Sequence, residues 1–366
     1  MSEREALDER RMAQQSDGAE SLPQVSVITP TYNRRESLLA TLRALARQTV
    51  APTSFEALVI SDGSTDGTAE ACARLDVPYT LRYFEHDHQG PAAARNLGVQ
   101  EARGELLVFL DDDVVPDDDL IDVYLAHHRQ YQHSVAIGPL LPPSDMRLQP
   151  WVRWEEKMLL QQYADIAAGK WAPTFRQFYT GNASVSRQEV IAVGGFDPQF
   201  LRAEDVELAF RLRDRGLEFH FLPTARGLHY ARRAFRSWFD IPRGYARADL
   251  LMASEPGQEW ILTLMGEEFH YRQPLVRALA KRCVGHPIRC AVTTHLGAAA
   301  ARMFATIPLG ASEKLAVSLF STTFNLRYWQ ALAEELGAAR FWAILADNPP
   351  HKATAAAPMS SVPSMK

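Results

Sequence analysis

The chain of 366 residues is long enough for one large domain or two smaller ones, and 46% of its residues are hydrophobic, which excludes a mainly disordered protein. A formal net charge of −5 argues against general binding to nucleic acid. Three cysteines are too few for a disulfide framework, so we expect a reducing, cytoplasmic compartment.

The two ends of the chain differ in composition from the rest. Residues 1–22 are polar and contain no apolar core segment, so we predict a flexible arm rather than a signal peptide. Residues 348–366 are rich in Ala, Pro and Ser, and we predict a disordered tail. The sequence has no run of 18 apolar residues, so we expect no transmembrane helix.

Strands and helices alternate in the first third of the chain. Short apolar runs predict strands at Val25–Thr29, Phe55–Ile60, Tyr79–Phe84 and Leu106–Leu110. The segments between them predict helices at Glu36–Gln48, Asp66–Leu75 and Pro91–Ala102. We expect Ser64 or Thr65 to cap the second of these helices. The alternation predicts an α/β fold with a mainly parallel sheet and helices on both faces.

The pattern changes after a further predicted strand at Ser134–Gly138, because residues 139–150 are rich in proline. Beyond them we predict helices at Trp151–Ala168, Arg187–Val193 and Asp205–Arg215. We predict strands at Gly181–Ser186 and Glu218–Phe221. From Arg232 onwards the sequence is mostly helical. We therefore predict a domain at 23–230, made of halves 23–138 and 139–230, and a C-terminal helical region at 231–347.

Three aspartates, Asp111, Asp112 and Asp113, directly follow the apolar run Leu106–Leu110. Open α/β sheets bind ligands at the carboxyl ends of their strands. Adjacent carboxylates repel one another unless a cation or a hydrogen-bond network offsets the charge, and hard divalent cations accept such oxygen ligands. An extended chain would place Asp111 and Asp113 on one side and Asp112 on the other. The alternative is a solvated acidic turn before a helix that begins near Asp118.

Five segments, in this order, resemble motifs of the family 2 glycosyltransferases of the GT-A fold: VSVITPTYNR, VISDGSTDGT, GPAAARNLG, FLDDDVVPDD and GGFDPQF…AEDVELAFRLRDRG. The resemblance covers about Val25–Tyr230, and Gly181–Tyr230 is similar to the C-terminal catalytic part of galactosyltransferase-type enzymes. It implies a metal-dependent, inverting transferase that moves a hexosyl or N-acetylhexosaminyl group from a nucleotide sugar, favouring a UDP-sugar. Residues 23–138 would then bind the nucleotide, and 139–230 the acceptor.

The resemblance also implies which residues hold the donor. The implied nucleotide contacts are Pro30, Tyr32, Asp62, Arg95, Asp111 and Asp112. The carboxylate of Asp62 suits an N–H of the base, although an ordinary turn residue is the alternative. The ring of Tyr32 could stack on the base or pack in the core. The guanidinium of Arg95 suits a phosphate or a base carbonyl, unless it is a surface arginine.

In the same resemblance, Asp111–Asp113 takes the place of the DXD motif. Asp113 would be the main ligand of a divalent metal, Mn²⁺ or Mg²⁺, with Asp111 and His229 as further ligands. A neutral imidazole can bind a metal, and a structural histidine is an equally open alternative. The metal would stabilise the charge that develops on the leaving nucleoside diphosphate.

The pair Glu204 and Asp205 resembles the "ED" motif of the family. Asp205 would be the general base that takes the proton of the acceptor hydroxyl, and Glu204 would orient the acceptor or Asp205. A single displacement would invert the anomeric centre. The alternative is a plain acidic pair at the start of a helix, where the helix dipole favours carboxylates.

Three other functions are compatible with parts of the sequence. A retaining transferase and a non-catalytic nucleotide-sugar-binding or scaffold protein both stay open, because a fold does not settle function. A sugar-phosphate nucleotidyltransferase is disfavoured, since it needs a glycine-rich phosphate loop where this chain has Pro30-Thr31-Tyr32-Asn33.

The sequence leaves the acceptor open among a glycan, a lipid-linked glycan and a natural product. Basic and aromatic residues alternate over 232–247, which suits an acceptor phosphate, an anionic membrane surface or a solvated helix face. Residues 291–335 could form a helical cap, a dimer surface or an interfacial anchor. Peripheral contact with the inner face of a membrane through 231–335 is therefore one option, and no oligomeric state is predicted.

Overall fold

The computed structural model describes residues 22–255, 258–307 and 310–347. The predicted arm at 1–22, apart from its last residue, and the predicted tail at 348–366 lie outside the described residues. The strands are β1 (Val25–Thr31), β2 (Phe55–Ser61), β3 (Thr80–Glu85), β4 (Leu106–Leu110), β5 (Val114–Pro116), β6 (Ser134–Ile137), β7 (Leu140–Leu141), β8 (Asn182–Ser186), β9 (Glu218–Phe221) and β10 (Gly227–His229).

Helices cover the sheets and form the C-terminal region. They are α1 (Arg35–Leu45), α2 (Thr68–Ala73), α3 (Pro91–Glu101), α4 (Leu120–Gln130), α5 (Pro150–Ala167), α6 (Arg187–Ala192), α7 (Glu204–Asp214), α8 (Phe235–Ser254), α9 (Trp260–Tyr271), α10 (Pro274–Cys283), α11 (Pro287–Phe304), α12 (Gly310–Leu336) and α13 (Ala338–Asp347). Within the described residues, none of these helices is long and apolar enough to cross a membrane.

Among the described residues, seven strands form the main sheet in the order β3-β2-β1-β4-β8-β6-β9. β3, β2, β1 and β4 are parallel, and so are β6 and β9, whereas β8 lies antiparallel between β4 and β6. All residues of β2 and β4 are buried, as expected for strands covered on both faces. The predicted α/β fold with a mainly parallel sheet is confirmed.

Two local predictions at the edge of the sheet are wrong. β1 does not end at Thr29 but continues through Pro30 to Thr31, which pairs with Ser61 of β2. α2 begins at Thr68 behind Gly67, and neither Ser64 nor Thr65 caps it. Both residues are bonded to Asn33 instead: its backbone N–H donates to Ser64 Oγ, and its side-chain oxygen accepts from the Thr65 N–H.

The C-terminal helices pack on the sheet domain through a buried aromatic cluster. Trp154 of α5 lies edge-on to Trp238 of α8, with ring centroids 5.7 Å apart, and Trp238 contacts Phe320 of α12. The indole N–H of Trp154 donates a hydrogen bond of 2.8 Å to Ser321 Oγ. The apolar core therefore runs continuously from the sheet into the C-terminal helices.

Candidate active site

Three parallel strands end at one edge of the main sheet, and the predicted site residues follow them. β1 leads into Tyr32, β2 into Asp62 and β4 into Asp111–Asp113. Because neighbouring parallel strands have their carboxyl ends on the same side, these side chains gather at one edge. The structure thus brings the predicted base-binding residues and the aspartate cluster together.

The carboxylate of Asp62, just after β2, is buried against the loop that follows β3. It accepts hydrogen bonds from the backbone N–H groups of Gln89 (2.9 Å) and Gly90 (3.0 Å). His88 Nδ1 lies 2.9 Å from Asp62 Oδ2, and the His88 ring stacks on Tyr32 with centroids 4.3 Å apart. Tyr32 is exposed rather than packed in the core, which leaves its ring available to a ligand. Sequence reasoning missed His88, although a histidine so close to the GPAAARNLG motif was a signal.

Arg34 joins two of the three aspartates. Its Nη1 donates to Asp112 Oδ1 at 3.0 Å and to Asp113 Oδ2 at 2.9 Å. The expectation that Asp112 and Asp113 point to opposite sides is therefore wrong. The chain is not extended here, because it turns, with the Val114 N–H donating to the carbonyl of Asp111. Arg34 lay inside the VSVITPTYNR motif, but nothing in the sequence indicated its partner.

The carboxylates of Asp112 and Asp113 are both buried, but their pKa values are shifted in opposite directions. Burial raises the pKa of Asp112 to about 6, although Arg34 and a hydrogen bond from Thr31 Oγ1 act in the opposite direction. Burial would also raise the pKa of Asp113, but the hydrogen bond and charge of His229, together with Arg34, outweigh it and lower that pKa. Asp113 therefore holds its negative charge firmly.

Arg95 connects the aspartate cluster to the acidic pair of α7. Its Nη2 donates to Asp111 Oδ1 at 3.0 Å, and its Nη1 donates to Glu204 Oε1 at 2.8 Å. Only 5% of Arg95 is exposed, so the alternative of a surface arginine is wrong. The buried guanidinium links the end of β4 to the start of α7, and it supplies the counter-charge that the buried Glu204 carboxylate needs.

Glu204 and Asp205 open α7 immediately after a strained residue. Ala203 has φ 59°, in the left-handed region that a residue with a Cβ seldom adopts, and such strain is concentrated at functional sites. Asp205 Oδ1 accepts from the Val206 N–H at 2.8 Å. Burial and the nearby charge of Glu204 raise the pKa of Asp205 to about 7, with Arg95 acting in the opposite direction. This pKa suits a group that takes up a proton near neutrality.

His229 is brought beside Asp113 by the pairing of β10 with β5 in a small second sheet. His229 Nε2 lies 3.5 Å from Asp113 Oδ1. Burial would lower the pKa of His229, but the hydrogen bond and charge of Asp113 outweigh it and raise that pKa. A carboxylate and an imidazole are chemically suitable ligands for a divalent metal. Over the described ranges, no three His, Cys, Asp or Glu side chains are grouped so as to hold one ion.

The sequence comparisons point to glycosyltransferases. Residues 26–193 match the family model described as Glycosyl transferase family 2. Validoxylamine A glucosyltransferase of Streptomyces hygroscopicus subsp. limoneus is 32% identical in an alignment of length 222 that covers 54% of this chain and 49% of that protein. Glycosyltransferase AglE of Haloferax volcanii is 29% identical, over 58% of this chain and 68% of that protein. The chain spans about half the length of the validoxylamine A glucosyltransferases that it matches.

Solved structures share the fold. Mannosyltransferase PcManGT from Pyrobaculum calidifontis, in complex with GDP-Man and Mn²⁺, superposes with a TM-score of 0.55 and 20% identity, over 90% of this chain and 87% of that one. S. aureus TarS 1-349, in complex with UDP, gives a TM-score of 0.51 and 15% identity, over 86% and 92%. The GT-A fold expected from the motifs, with its C-terminal helical region, is thereby confirmed.

Proposed function

We propose that the chain, whose residues 26–193 match the family model of glycosyl transferase family 2, moves a glycosyl group from a nucleotide sugar to an acceptor hydroxyl with inversion. Asp205 is the general base, and Glu204 positions it. Asp62, Tyr32, Pro30 and the aspartate cluster hold the nucleotide.

One observation carries this proposal above the others. Arg95 bonds to Asp111 and to Glu204, so a buried ion-pair network joins the end of β4 to the start of α7. A donor held at the end of β4 would therefore present its sugar towards Asp205. Reacting groups held in a fixed mutual position need less ordering in the transition state, which is a large part of enzymatic rate enhancement.

The proposed reaction requires that the Asp205 carboxylate accept the proton of the acceptor hydroxyl. The acceptor oxygen attacks the anomeric carbon while its proton passes to the Asp205 carboxylate. The bond from the anomeric carbon to the diphosphate oxygen breaks, and its electron pair leaves with the nucleoside diphosphate. Because attack and departure occur on opposite faces, the anomeric configuration is inverted. A base with a pKa of about 7 is deprotonated often enough at neutral pH to accept this proton.

Asp113 and His229, 3.5 Å apart, are two adjacent groups of the right chemistry for a divalent metal. Asp111 would have to turn away from Arg95 to join them as a third ligand, because the described side chains do not yet form a three-ligand group. With that change, the three residues would hold Mn²⁺ or Mg²⁺, which when bound would stabilise the negative charge of the diphosphate. Arg34 sits between Asp112 and Asp113 and is half exposed, so its guanidinium can also turn to a phosphate oxygen. Arg95 is paired with two carboxylates, so we propose that it positions them. To contact the nucleotide, Arg95 would have to release one of these two partners.

The donor is proposed to be a UDP-sugar, because the exposed ring of Tyr32 and the acceptor-only carboxylate of Asp62 suit the face and the N–H of uracil. TarS has been solved with UDP and with UDP-GlcNAc, whereas PcManGT was solved with GDP-Man, so the fold alone does not choose. We assign residues 23–138 to donor binding and 139–230 to the acceptor, which is a glycan, a lipid-linked glycan or a natural product.

The test is a calorimetric titration of UDP, GDP and dTDP, each with and without Mn²⁺. The proteins are wild type, Asp113→Ala and, as a matched control, Asp119→Ala, which changes an exposed aspartate just before α4. We expect Mn²⁺-dependent binding of UDP that is lost only in Asp113→Ala. Preferred binding of GDP or dTDP would overturn the donor, and metal-independent binding unchanged in Asp113→Ala would overturn the role of the cluster.

Product analysis then separates the remaining alternatives. An inverting enzyme converts an α-linked donor into a β-linked product, which NMR of the anomeric proton distinguishes. Retention of configuration would assign a different mechanism to the same fold. Binding of UDP without any release of the sugar from any donor would indicate a non-catalytic nucleotide-sugar-binding protein.

A further inference from the structure

α11 carries an exposed apolar stripe along its whole length. Its members are Ile288, Val292, Leu296, Ala299 and Met303. At 100° per residue they fall within an arc of about 80° on one face of the helix. The two most exposed of them are Ile288, 82% accessible to solvent, and Leu296, 66% accessible.

The opposite face of α11 is also apolar, and it is buried. Cys290, Thr294, Ala298 and Ala301 are inaccessible or nearly so, and this face packs on α12 and its neighbours. Surface helices of soluble proteins ordinarily place polar residues opposite their buried face, and a helix that is apolar on both sides is normally covered on both. Among the described residues, no segment covers the exposed stripe, although an apolar surface of this kind commonly marks an interaction site.

The surroundings of the stripe are strongly basic. Residues 272–307 contain six Arg or Lys residues and no Asp or Glu, although the whole chain has 44 acidic and 39 basic residues. Lys281, Arg282 and Arg289 are exposed and form no ion pair with any described residue. On the helical wheel, Arg289 and Arg302 flank the apolar stripe on its two sides.

We propose that this face, made of α11 with α10 beside it, docks on an anionic lipid bilayer. The helix lies in the interface, the apolar stripe enters the headgroup region, and the flanking arginines bind lipid phosphates. The proposed contact is peripheral, because α11 would lie along the bilayer surface rather than across it. A second copy of the chain fits less well, because it would bring two surfaces of the same positive charge together.

The stripe ends close to the acceptor side of the candidate active site. Arg302 lies over the rings of Trp151 and Phe235, at 5.8 and 4.8 Å from their centroids. The indole N–H of Trp151 donates to the carbonyl of Arg233, whose guanidinium pairs with Glu155. A membrane bound by α11 would therefore lie close to Trp151 and Phe235, which contact Arg302 at the end of the stripe. The docking proposal stands on the helix itself and does not depend on the proposed transferase activity.

The experiment is sedimentation of the full chain with vesicles of phosphatidylcholine alone, or of equal parts phosphatidylcholine and phosphatidylglycerol. The test variants are Ile288→Ser with Leu296→Ser, and Arg282→Glu with Arg289→Glu. The matched controls are Leu22→Ser with Ile191→Ser, and Arg74→Glu with Arg103→Glu, which change exposed residues elsewhere. All eight positions are on the surface, so we expect every variant to fold, and circular dichroism checks this.

We expect wild type and both controls to bind the anionic vesicles at low salt and to be released by high salt. Each test variant should bind at least about tenfold more weakly. Failure of wild type to sediment with anionic vesicles, or equal binding of test and control variants, would overturn the proposal. Concentration-dependent dimerisation that the same test variants abolish would instead assign the face to a second copy of the chain.

Discussion

The two acidic groups of the site contain the same kind of side chain in opposite surroundings. Asp113 lies between Arg34 and His229, and their charges lower its pKa, so it stays an anion. Asp205 lies beside Glu204 at the start of α7, where burial and the charge of Glu204 raise its pKa to about 7. The neighbouring groups therefore decide whether a carboxylate serves as a fixed charge or accepts and releases a proton.

The largest effect is expected from removing the proton carrier. Asp205→Asn keeps the shape of the side chain but cannot take a proton, so sugar transfer should fall by about 10²- to 10⁴-fold. The readout is the rate of nucleoside diphosphate release from the donor in the presence of acceptor. Asp214→Asn, at the other end of α7, is the control and should retain full activity. If Asp205→Asn transferred sugar as fast as wild type, Asp205 would not be the proton acceptor, and the proposed difference between the two acidic groups would be wrong.

The connection between the two groups can be broken at Arg95. Arg95→Leu leaves Asp111 and Glu204 without their shared cation, which should lower the free energy of unfolding by about 3–5 kcal/mol. Denaturant unfolding measures this, and Arg95→Lys should recover part of the loss. Arg103→Leu, which removes an exposed arginine, should change stability by less than about 0.5 kcal/mol. Equal effects of the two leucine variants would show that the network is not stabilising.

The raised pKa of Asp205 also predicts a dependence of stability on pH. Because the folded pKa of about 7 exceeds the unfolded value of about 3.9, charging Asp205 costs stability increasingly between these values and fully above them. Asp205→Asn should therefore be more stable than wild type at pH 8, by an amount on the order of 2 kcal/mol after allowance for solvent contact. At pH 4 thermal unfolding of the two proteins should agree. A wild type that is more stable than the variant at pH 8 would mean that the pKa is not raised.

The smallest predicted effect concerns contact with the nucleotide base rather than the charged residues of the site. Tyr32→Ala removes a ring that already stacks on His88, so UDP affinity should fall by about 1 kcal/mol, near fivefold. Calorimetry of UDP binding measures it, with Tyr271→Ala, an exposed tyrosine of α9, as the control. A change confined to kcat would place Tyr32 near the acceptor instead.

Some of this arrangement could be predicted from the sequence, because local signals carry it. Leu106–Leu110 is predicted with its observed bounds, since a short apolar run between turn residues marks a buried strand. The prediction for Glu218–Phe221 also has the observed bounds, although that strand is only partly buried. The acidic residues could be found because they directly follow a strand or open a helix.

The pairing of those residues could not be predicted. Arg34 and Arg95 meet their carboxylates across 78 and 109 positions of sequence, and no periodicity encodes such contacts. The turn that sends Asp112 and Asp113 to the same guanidinium depends on a hydrogen bond between Val114 and Asp111. The antiparallel position of β8 between β4 and β6 likewise depends on tertiary packing rather than on a local sequence signal.

The most direct test of the contrast measures UDP affinity, with Mn²⁺ present, for Asp113→Asn and Asp205→Asn alongside wild type. We expect Asp113→Asn to lose UDP binding, whereas Asp205→Asn should bind UDP as wild type does and yet fail to transfer the sugar. Loss of UDP binding in Asp205→Asn, or undiminished binding in Asp113→Asn, would contradict the division of roles between the two acidic groups.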